Sequence, residues 1–545
     1  MKKGLLSLMV VCLVAIVHAQ PIANAGIDQT VVLPMNYCVL YGGFPYSVKS
    51  SASAISSFSW SQISGPNTAN LSRRRDSLQT INTLDSVVFV SGMVQGTYQF
   101  RLQVTDANGN RADTVQVTVQ PVPALNNGTK SVTISDGVYY PNNAQSALNL
   151  NPGDTLFLNG SLLDSTDNVI LGNLHGTAAQ PIYIMPKNAA VKVNRIDLGN
   201  SGWGAGGDIR FSYIIIDGRL NGTPHSINSK QYALYSGHHV ELRYCKSLNS
   251  WQSSVHLGGY HNGGNNLYKF PAMNRVGYYI HDNIIDQPTE EGIYGGPTSL
   301  TNQGWDTVKY HPRGDSLFIY NNVITNSGRD GIQVGGFNRT RIFNNSTYNN
   351  GLNGVGGQGS AINLGTLTTG EVKGNYMRRS WRNGSFINGY GTILYSDNYL
   401  DSCAFFETTG NAIIYVNSSL HNPERTPPRN VIVKRNYIRN PYSTLYTGLS
   451  ANNGLDNPTK FDSNYVWRPN GGSDWYYFDD PASSATGNQS TGSISWPSWP
   501  LPAVTGPTLL SAGNSEPGGG GGGSTSNTFP GPKVTNGFRR QFRTQ

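Results

Sequence analysis

Short runs of alternating apolar and polar residues, broken every few positions by Gly, Asn, Pro or Ser, fill most of this chain. In Thr97-Tyr98-Gln99-Phe100-Arg101-Leu102-Gln103-Val104 the alternate side chains can pack one face of a sheet. From Gln20 to about Pro123 such runs and turns predict a small β-sandwich, and Pro121-Val122-Pro123 reads as a linker. Beyond it the pattern becomes a repeat: an apolar residue, any residue, a polar residue or Gly, then Asn and two mostly apolar residues. The Asn falls at 283, 322, 345, 375, 398, 436 and 464, at spacings of 39, 23, 30, 23, 38 and 28. A minimum of 23 fits one coil of three short strands and three turns, with the excess residues looped out at turns. The fold class expected is all-β: a right-handed parallel β-helix over 124–495, preceded by a small immunoglobulin-like sandwich over 20–123. The recurrent Asn is expected to take the left-handed backbone of a sharp turn and to bond its amide along the stack.

Composition agrees, since 13% charged residues with 64 Gly and 30 Tyr suit strands and turns. Residues 1–19 carry Lys2 and Lys3, an apolar run from Leu5 to Val17 and a small-residue exit, which predicts a signal peptide cut before Gln20 and a secreted or cell-surface protein. No later stretch reaches the roughly 20 apolar residues of a spanning helix. Cys38, Cys245 and Cys403 remain after cleavage, too scattered for a disulfide framework or a zinc site and expected to be buried apolar thiols, with one disulfide or a reactive thiol as the alternative. The net charge of +8 becomes +6 without Lys2 and Lys3; the excess fits an acidic polymer, while export and the lack of dense basic tracts argue against nucleic acid. From 496 to 545 the chain is rich in Pro and Gly and reads as a flexible tail. A monomer is expected.

Two resemblances follow from particular residues. Ala25-Gly26-Ile27-Asp28-Gln29-Thr30, Trp60-Ser61-Gln62-Ile63-Ser64-Gly65-Pro66, Gly96-Thr97-Tyr98, Val104-Thr105-Asp106 and Gly109 resemble the polycystic-kidney-disease-type immunoglobulin-like modules of secreted bacterial proteins. Such modules are spacers or weak carbohydrate or protein binders. Leu150-Asn151-Pro152-Gly153-Asp154-Thr155-Leu156-Phe157-Leu158, Gly176-Thr177 and Pro181-Ile182-Tyr183-Ile184 look like the opening coils of β-helix proteins, including polysaccharide lyases of the pectin-lyase-like superfamily. That resemblance implies a polysaccharide partner.

Stacked coils turn aligned positions into neighbours about 4.8 Å apart. At an offset of 39, Glu290 aligns with Arg329, Glu291 with Asp330 and Tyr294 with Gln333; at 38, Ser253 and His256 join the Glu291 and Tyr294 columns. At 23, Asn353 is expected beyond Asp330. Two carboxylates one coil apart share a proton, bind a cation such as calcium, or splay into solvent. As a glycosidase pair they would need about 5–5.5 Å for retention or about 6.5–9.5 Å for inversion. Glu290 with Arg329 can equally be an ordinary surface pair. The insertion at 297–315 contains Lys309-Tyr310-His311-Pro312-Arg313, whose alternate basic residues share a face and could offer a base and cations to an acidic sugar, or be a solvated loop. Trp203, Trp251, Trp305 and Trp381 could stack on sugar rings or pack under loops. His238, His239, His256 and His261 lack ligand spacing. The reading is a polysaccharide-active enzyme, lyase or hydrolase, with Glu291, Asp330, Glu290, Arg329, His256 and Lys309 as candidate catalytic residues. Tyr294, His311, Arg313 and Trp305 would bind substrate, and Glu291 and Asp330 are the candidate calcium ligands. The alternative is a non-catalytic glycan-binding surface or matrix protein.

Overall fold

The computed structural model describes residues 21–26, 28–33, 38–41, 55–72, 87–121, 130–141, 143–199, 211–235, 237–257, 273–296, 313–355, 357–365, 368–388, 392–404, 413–417, 430–439, 449–452, 459–467, 476–478, 484–489 and 496–509. The signal peptide and the basic insertion through Pro312 lie outside them.

In the N-terminal unit, Gly96–Asp106 pairs antiparallel with both Ser57–Ser64 and Gly109–Gln120, and Gln29–Val32 runs parallel to the latter. A second sheet joins Cys38–Tyr41 and Asn70–Ser72 to Val87–Ser91. The alternation is the packing: Tyr98, Phe100, Leu102 and Val104 point inward and share a core with Leu40, Val88 and Val90. The Tyr98 hydroxyl accepts from the Val94 N–H at 2.7 Å and donates to the Asn67 side chain, so its burial leaves no polar atom wanting.

The remainder is a stack of parallel strands in three sheets. Sheet A runs from Ser131–Ile134 to Ser484–Thr486 and includes Gly237–Arg243, Met273–His281, Arg313–Tyr320 and Phe337–Phe343. Sheet B includes Lys246–Leu248, Ile284–Asp286, Val323–Thr325 and Ser346–Asn350. Sheet C includes Val255–His256, Ile293–Tyr294, Ile332–Val334 and Ile362–Leu364. One aliphatic column from each sheet fills the interior: Leu242, Ile280, Ile319 and Ile342 from A, Ile285 and Ile324 from B, Val255, Ile293, Ile332 and Ile362 from C. Each such side chain is worth about 1.5–3 kcal/mol of burial, so stability is spread along the stack.

The Asn repeat is a ladder at the corner between sheets A and B. Asn345 Oδ1 accepts the Asn322 backbone N–H at 3.1 Å and Asn322 Nδ2 at 3.0 Å, and Asn375 Oδ1 does the same for Asn345 at 3.0 and 2.9 Å. Cys245 caps one end by donating its N–H to Asn283 Oδ1 at 2.9 Å. At the other end the ladder runs one rung further than the repeat suggests, to Asn488, which accepts from Asn464 Nδ2 at 2.9 Å. The left-handed geometry expected of the ladder Asn belongs instead to the residue before it: Asp282, Asn321, Asn344, Gly374, Asp397, Arg435 and Ser463 have φ between 51° and 64°. That residue makes the turn, and the Asn after it points its amide inward. Cys38, Cys245 and Cys403 are buried free thiols, and burial pushes Cys38 up to about 12 and Cys403 to about 11.

Residues 496–509, read above as the start of a flexible tail, lie against the stack. Asn344 Nδ2 donates to Pro502 O at 2.8 Å, Asn321 Nδ2 to Val504 O at 2.7 Å and the Tyr320 hydroxyl to Pro507 O at 2.9 Å. An extended Pro-rich strand has no internal hydrogen bonds, and its free carbonyls are what these outward side chains satisfy.

Candidate active site

The turn from sheet B to sheet C carries the two carboxylates, and pairing in sheet C sets their columns. Val255 pairs with Ile293 and Ile293 with Ile332, at the offsets of 38 and 39 read from the sequence. Backbone bonds continue the register through the turn: Ser254 N–H donates to Glu291 O at 3.1 Å, and Gly292 N–H to Asp330 O at 3.1 Å. Ser253, Glu291 and Asp330 thus form one column, and His256, Tyr294 and Gln333 another. The forward step differs. Ile332 pairs with Ile362, an offset of 30, so Ser360 and not Asn353 follows Asp330. The extra residues fall before this strand, and Asn353 instead donates its N–H to Gly328 O at 2.9 Å and Nδ2 to Thr289 O at 2.6 Å.

Neither carboxylate splays into solvent: Glu291 is 1% and Asp330 0% exposed. Asp330 Oδ1 accepts the N–H groups of Gly359 and Ser360 at 2.7 and 2.6 Å, and Oδ2 accepts Asn363 Nδ2 at 2.8 Å. Burial, and next to it the charge of Glu291, push Asp330 up to about 7 against these three donors. Glu291 is also raised, mainly by burial, against the Ser253 hydroxyl that donates to Oε2 at 2.8 Å. Its Oε1 makes no hydrogen bond, and Arg329 Nη1 stands 3.8 Å away. The same Nη1 lies 3.2 Å from Glu290 Oε1, both side chains partly exposed, so Glu290 and Arg329 form the surface pair weighed above, at the rim of the buried pair.

His256 stacks obliquely on Tyr294, ring centroids 4.7 Å apart. Burial, then the Glu291 charge, raises the Tyr294 hydroxyl. Behind it lies Arg275, 1% exposed, which donates to Gly295 O at 2.7 Å and Leu257 O at 3.1 Å and sits 4.2 Å from the Phe337 ring centre. Arg275, Asn363 and the Gly359–Ser360 N–H pair were not anticipated. Asn363 follows from the offset of 30, whereas nothing in Met273–His281 distinguishes an inward Arg from an outward one. Lys309, His311 and Trp305 lie outside the described residues, as do Trp203 and His261; Arg313 begins a sheet A strand. Trp251 is exposed, and Trp381 packs beside Gly351. His239 stacks on Tyr213 at 4.5 Å while its neighbour His238 is buried, so the histidines do not converge. Among the described residues no three His, Cys, Asp or Glu side chains gather as a metal site would require, and no helix is long and apolar enough to cross a membrane.

A second ionic cluster, on the outer face of sheet A, went unread in the sequence. Glu241 receives Arg243 at 2.6 Å and His281 at 3.1 Å, and Arg243 also reaches Asp217 at 2.9 Å. Its members come from three successive coils, Asp217 pairing with Arg243 at an offset of 26 and Arg243 with His281 at an offset of 38.

Comparison with known proteins places both units. Residues 25–119 match a family described as PKD domain, and residues 310–490 match one described as right handed beta helix region. No curated protein matches the chain. Among solved structures, the PKD domain of the KIAA 1837 protein shows 30% identity over 19% of this chain and 92% of its own, with a TM-score of 0.16. The GH136 lacto-N-biosidase of Eubacterium ramulus shows 14% identity, 62% coverage of each chain and a TM-score of 0.40, so this chain spans less than two thirds of it. The mannuronan C-5 epimerase A-module of Azotobacter vinelandii shows 12% identity over 63% of this chain and 92% of its own, with a TM-score of 0.34. The chain carries an N-terminal PKD domain followed by a right-handed β-helix region.

Proposed function

We propose that this is a secreted polysaccharide-active enzyme that cleaves glycosidic bonds at Glu291 and Asp330. The observation that carries the reading is the pair itself: two carboxylates from neighbouring coils, both buried, both raised, with Glu291 Oε1 free of hydrogen bonds. Burial and the Glu291 charge favour a proton on Asp330 up to about 7, and Glu291 beside it would serve as the base, so one site offers an acid and a base. In hydrolysis the protonated member gives its proton to the leaving glycosidic oxygen, and the ionised member activates water or attacks the sugar carbon. The three N–H donors to Asp330 occupy the lone pairs that a calcium ion would need, while burial and the Glu291 charge favour a proton against them, so the pair is read as an acid and a base and not as a calcium site. Arg329 and Glu290 at the rim, His256 and Tyr294 beside the pair, Lys309, His311 and Trp305 from the insertion, and Arg313 at the start of the strand that follows it would hold the sugar chain.

Full-length wild type, Glu291→Gln and Asp330→Asn are to be incubated with acidic and neutral polysaccharides and assayed for new reducing ends and for unsaturated uronates. Hydrolysis predicts reducing ends without unsaturation, and a loss of at least about 100-fold in each variant with cooperative melting retained. Unsaturated product would make the reaction elimination. Binding without cleavage would make the chain a glycan-binding protein, and unchanged turnover in both variants would remove the pair from the site.

A further inference from the structure

The segment 496–509 crosses the coils in the direction opposite to their order. Trp496 lies against Tyr376 and Tyr399, Trp499 against Tyr348, and the Leu501 N–H donates to Ser346 Oγ at 2.7 Å. Val504 both donates to and accepts from the side chain of Asn321, at 3.1 and 2.7 Å. Leu509 packs with Ile215 and Tyr279, and its N–H donates to Glu241 Oε2 at 2.7 Å. Glu241 is fully buried and its other oxygen, Oε1, takes Arg243 and His281. His281 is held on both sides: Nε2 lies 3.1 Å from Glu241 Oε1 and Nδ1 lies 2.6 Å from Asp282 Oδ2. A neutral imidazole has one N–H, so only the charged ring donates to both carboxylates.

We propose that residues 496–509 form a latch, closed while His281 carries its proton and loosened at the Leu509 end when His281 loses it. The geometry gives the coupling. A neutral His281 turns a lone pair toward one of two carboxylates, and the carboxylate that it abandons is either Asp282 or the one gripping Leu509. The other groups facing His281 are Arg243 of the preceding strand, the Tyr320 ring stacked at 4.5 Å and the Tyr244 ring edge-on at 6.2 Å; Asp217 and Arg219 act through Arg243 and Tyr244. Arg243 is bound to both Glu241 and Asp217, while Asp282 takes His281 on Oδ2 and the Asn321 side-chain amide on Oδ1, at 3.1 Å. Burial opposes a charged imidazole, yet the two carboxylates hold His281 above its ordinary value. A raised histidine stabilises the closed state below its ordinary value and loses that contribution as pH rises through the higher one.

The test is hydrogen exchange of the full-length protein, followed at residues 501–509 between about pH 5 and about pH 9 and corrected for the intrinsic rate. Protection is expected to fall by about tenfold or more as His281 deprotonates. In His281→Gln, which keeps one donor and no charge, protection should be lower at acid pH and flat across the range. Trp496→Ala, which disturbs the far anchor, should lower protection but keep the pH dependence. Corrected protection that does not change with pH in the wild type overturns the latch, as does an undiminished pH dependence in His281→Gln; the wild-type titration decides alone if that variant does not fold.

Discussion

At the scale of single residues, the buried pair dictates a pH dependence. Asp330 sits at about 7 in the fold, mainly because burial, and then Glu291, disfavour its charge. An acid whose value is raised on folding takes up more protons folded than unfolded, so stability falls as pH rises from about 4, the unfolded value, toward about 7. Denaturant melts at the two ends of that window should show the wild type less stable at the upper end. Glu291→Gln removes the like charge and should flatten the slope, whereas equal slopes in both proteins would mean that the carboxylates do not interact. Which side chains meet was legible wherever the register was regular. Ser253, Glu291 and Asp330, and His256 with Tyr294, were found because the offsets of 38 and 39 hold through the B-to-C turn. Asn353 was misplaced because a spacing measured at the ladder does not say at which corner the extra residues leave the coil. The depth of the pair was not legible at all, since sequence periodicity cannot distinguish a carboxylate at a turn surface from one beneath it.

At the scale of elements, the ladder is the most demanding structure in the chain. Asn345 satisfies two donors of Asn322 and in turn donates to Ile319 O, at 2.9 Å, and to the next rung. Asn345→Ala would leave several buried polar groups unmet, at about 1–3 kcal/mol for each. It should therefore cost clearly more than Asn326→Ala at the other corner, where the amide donates to the partly exposed Asp286 at 2.8 Å. Thermal melts of the two variants compare them directly, and similar losses would show the ladder to be no more than a turn preference. The repeat gave away the ladder because the flanking apolar residues mark it. It misassigned the turning residue, because the left-handed position is filled by Asp, Asn, Gly, Arg and Ser in different coils and so leaves no pattern.

At the scale of the whole molecule, the strap formed by residues 496–509 touches seven successive coils, from that of Tyr399 to that of Ile215. Gly506 lies flat on Tyr320, where a Cβ would fall 2.4 Å from the ring. Gly506→Leu should therefore lift the strap locally, raising cleavage within 496–509 by added protease while leaving the far-ultraviolet strand signal of the stack unchanged. A cleavage rate equal to wild type would show that the contact contributes little. Composition misled here, because Pro-rich chain reads as linker unless the surface that will satisfy its carbonyls is already in view.

The strap also has a consequence for the order of events during synthesis. Leu509 meets a partner 268 residues earlier, Val504 one 183 earlier and Leu501 one 155 earlier. Contacts of such separation form late, and coils emerging from the ribosome can stack long before the strap exists. Its three grips fall on different coils, so all can close only if every intervening coil has been laid down in register. A skipped or slipped coil would leave at least one grip facing the wrong rung, and a segment made after all of these coils thereby proofreads their assembly.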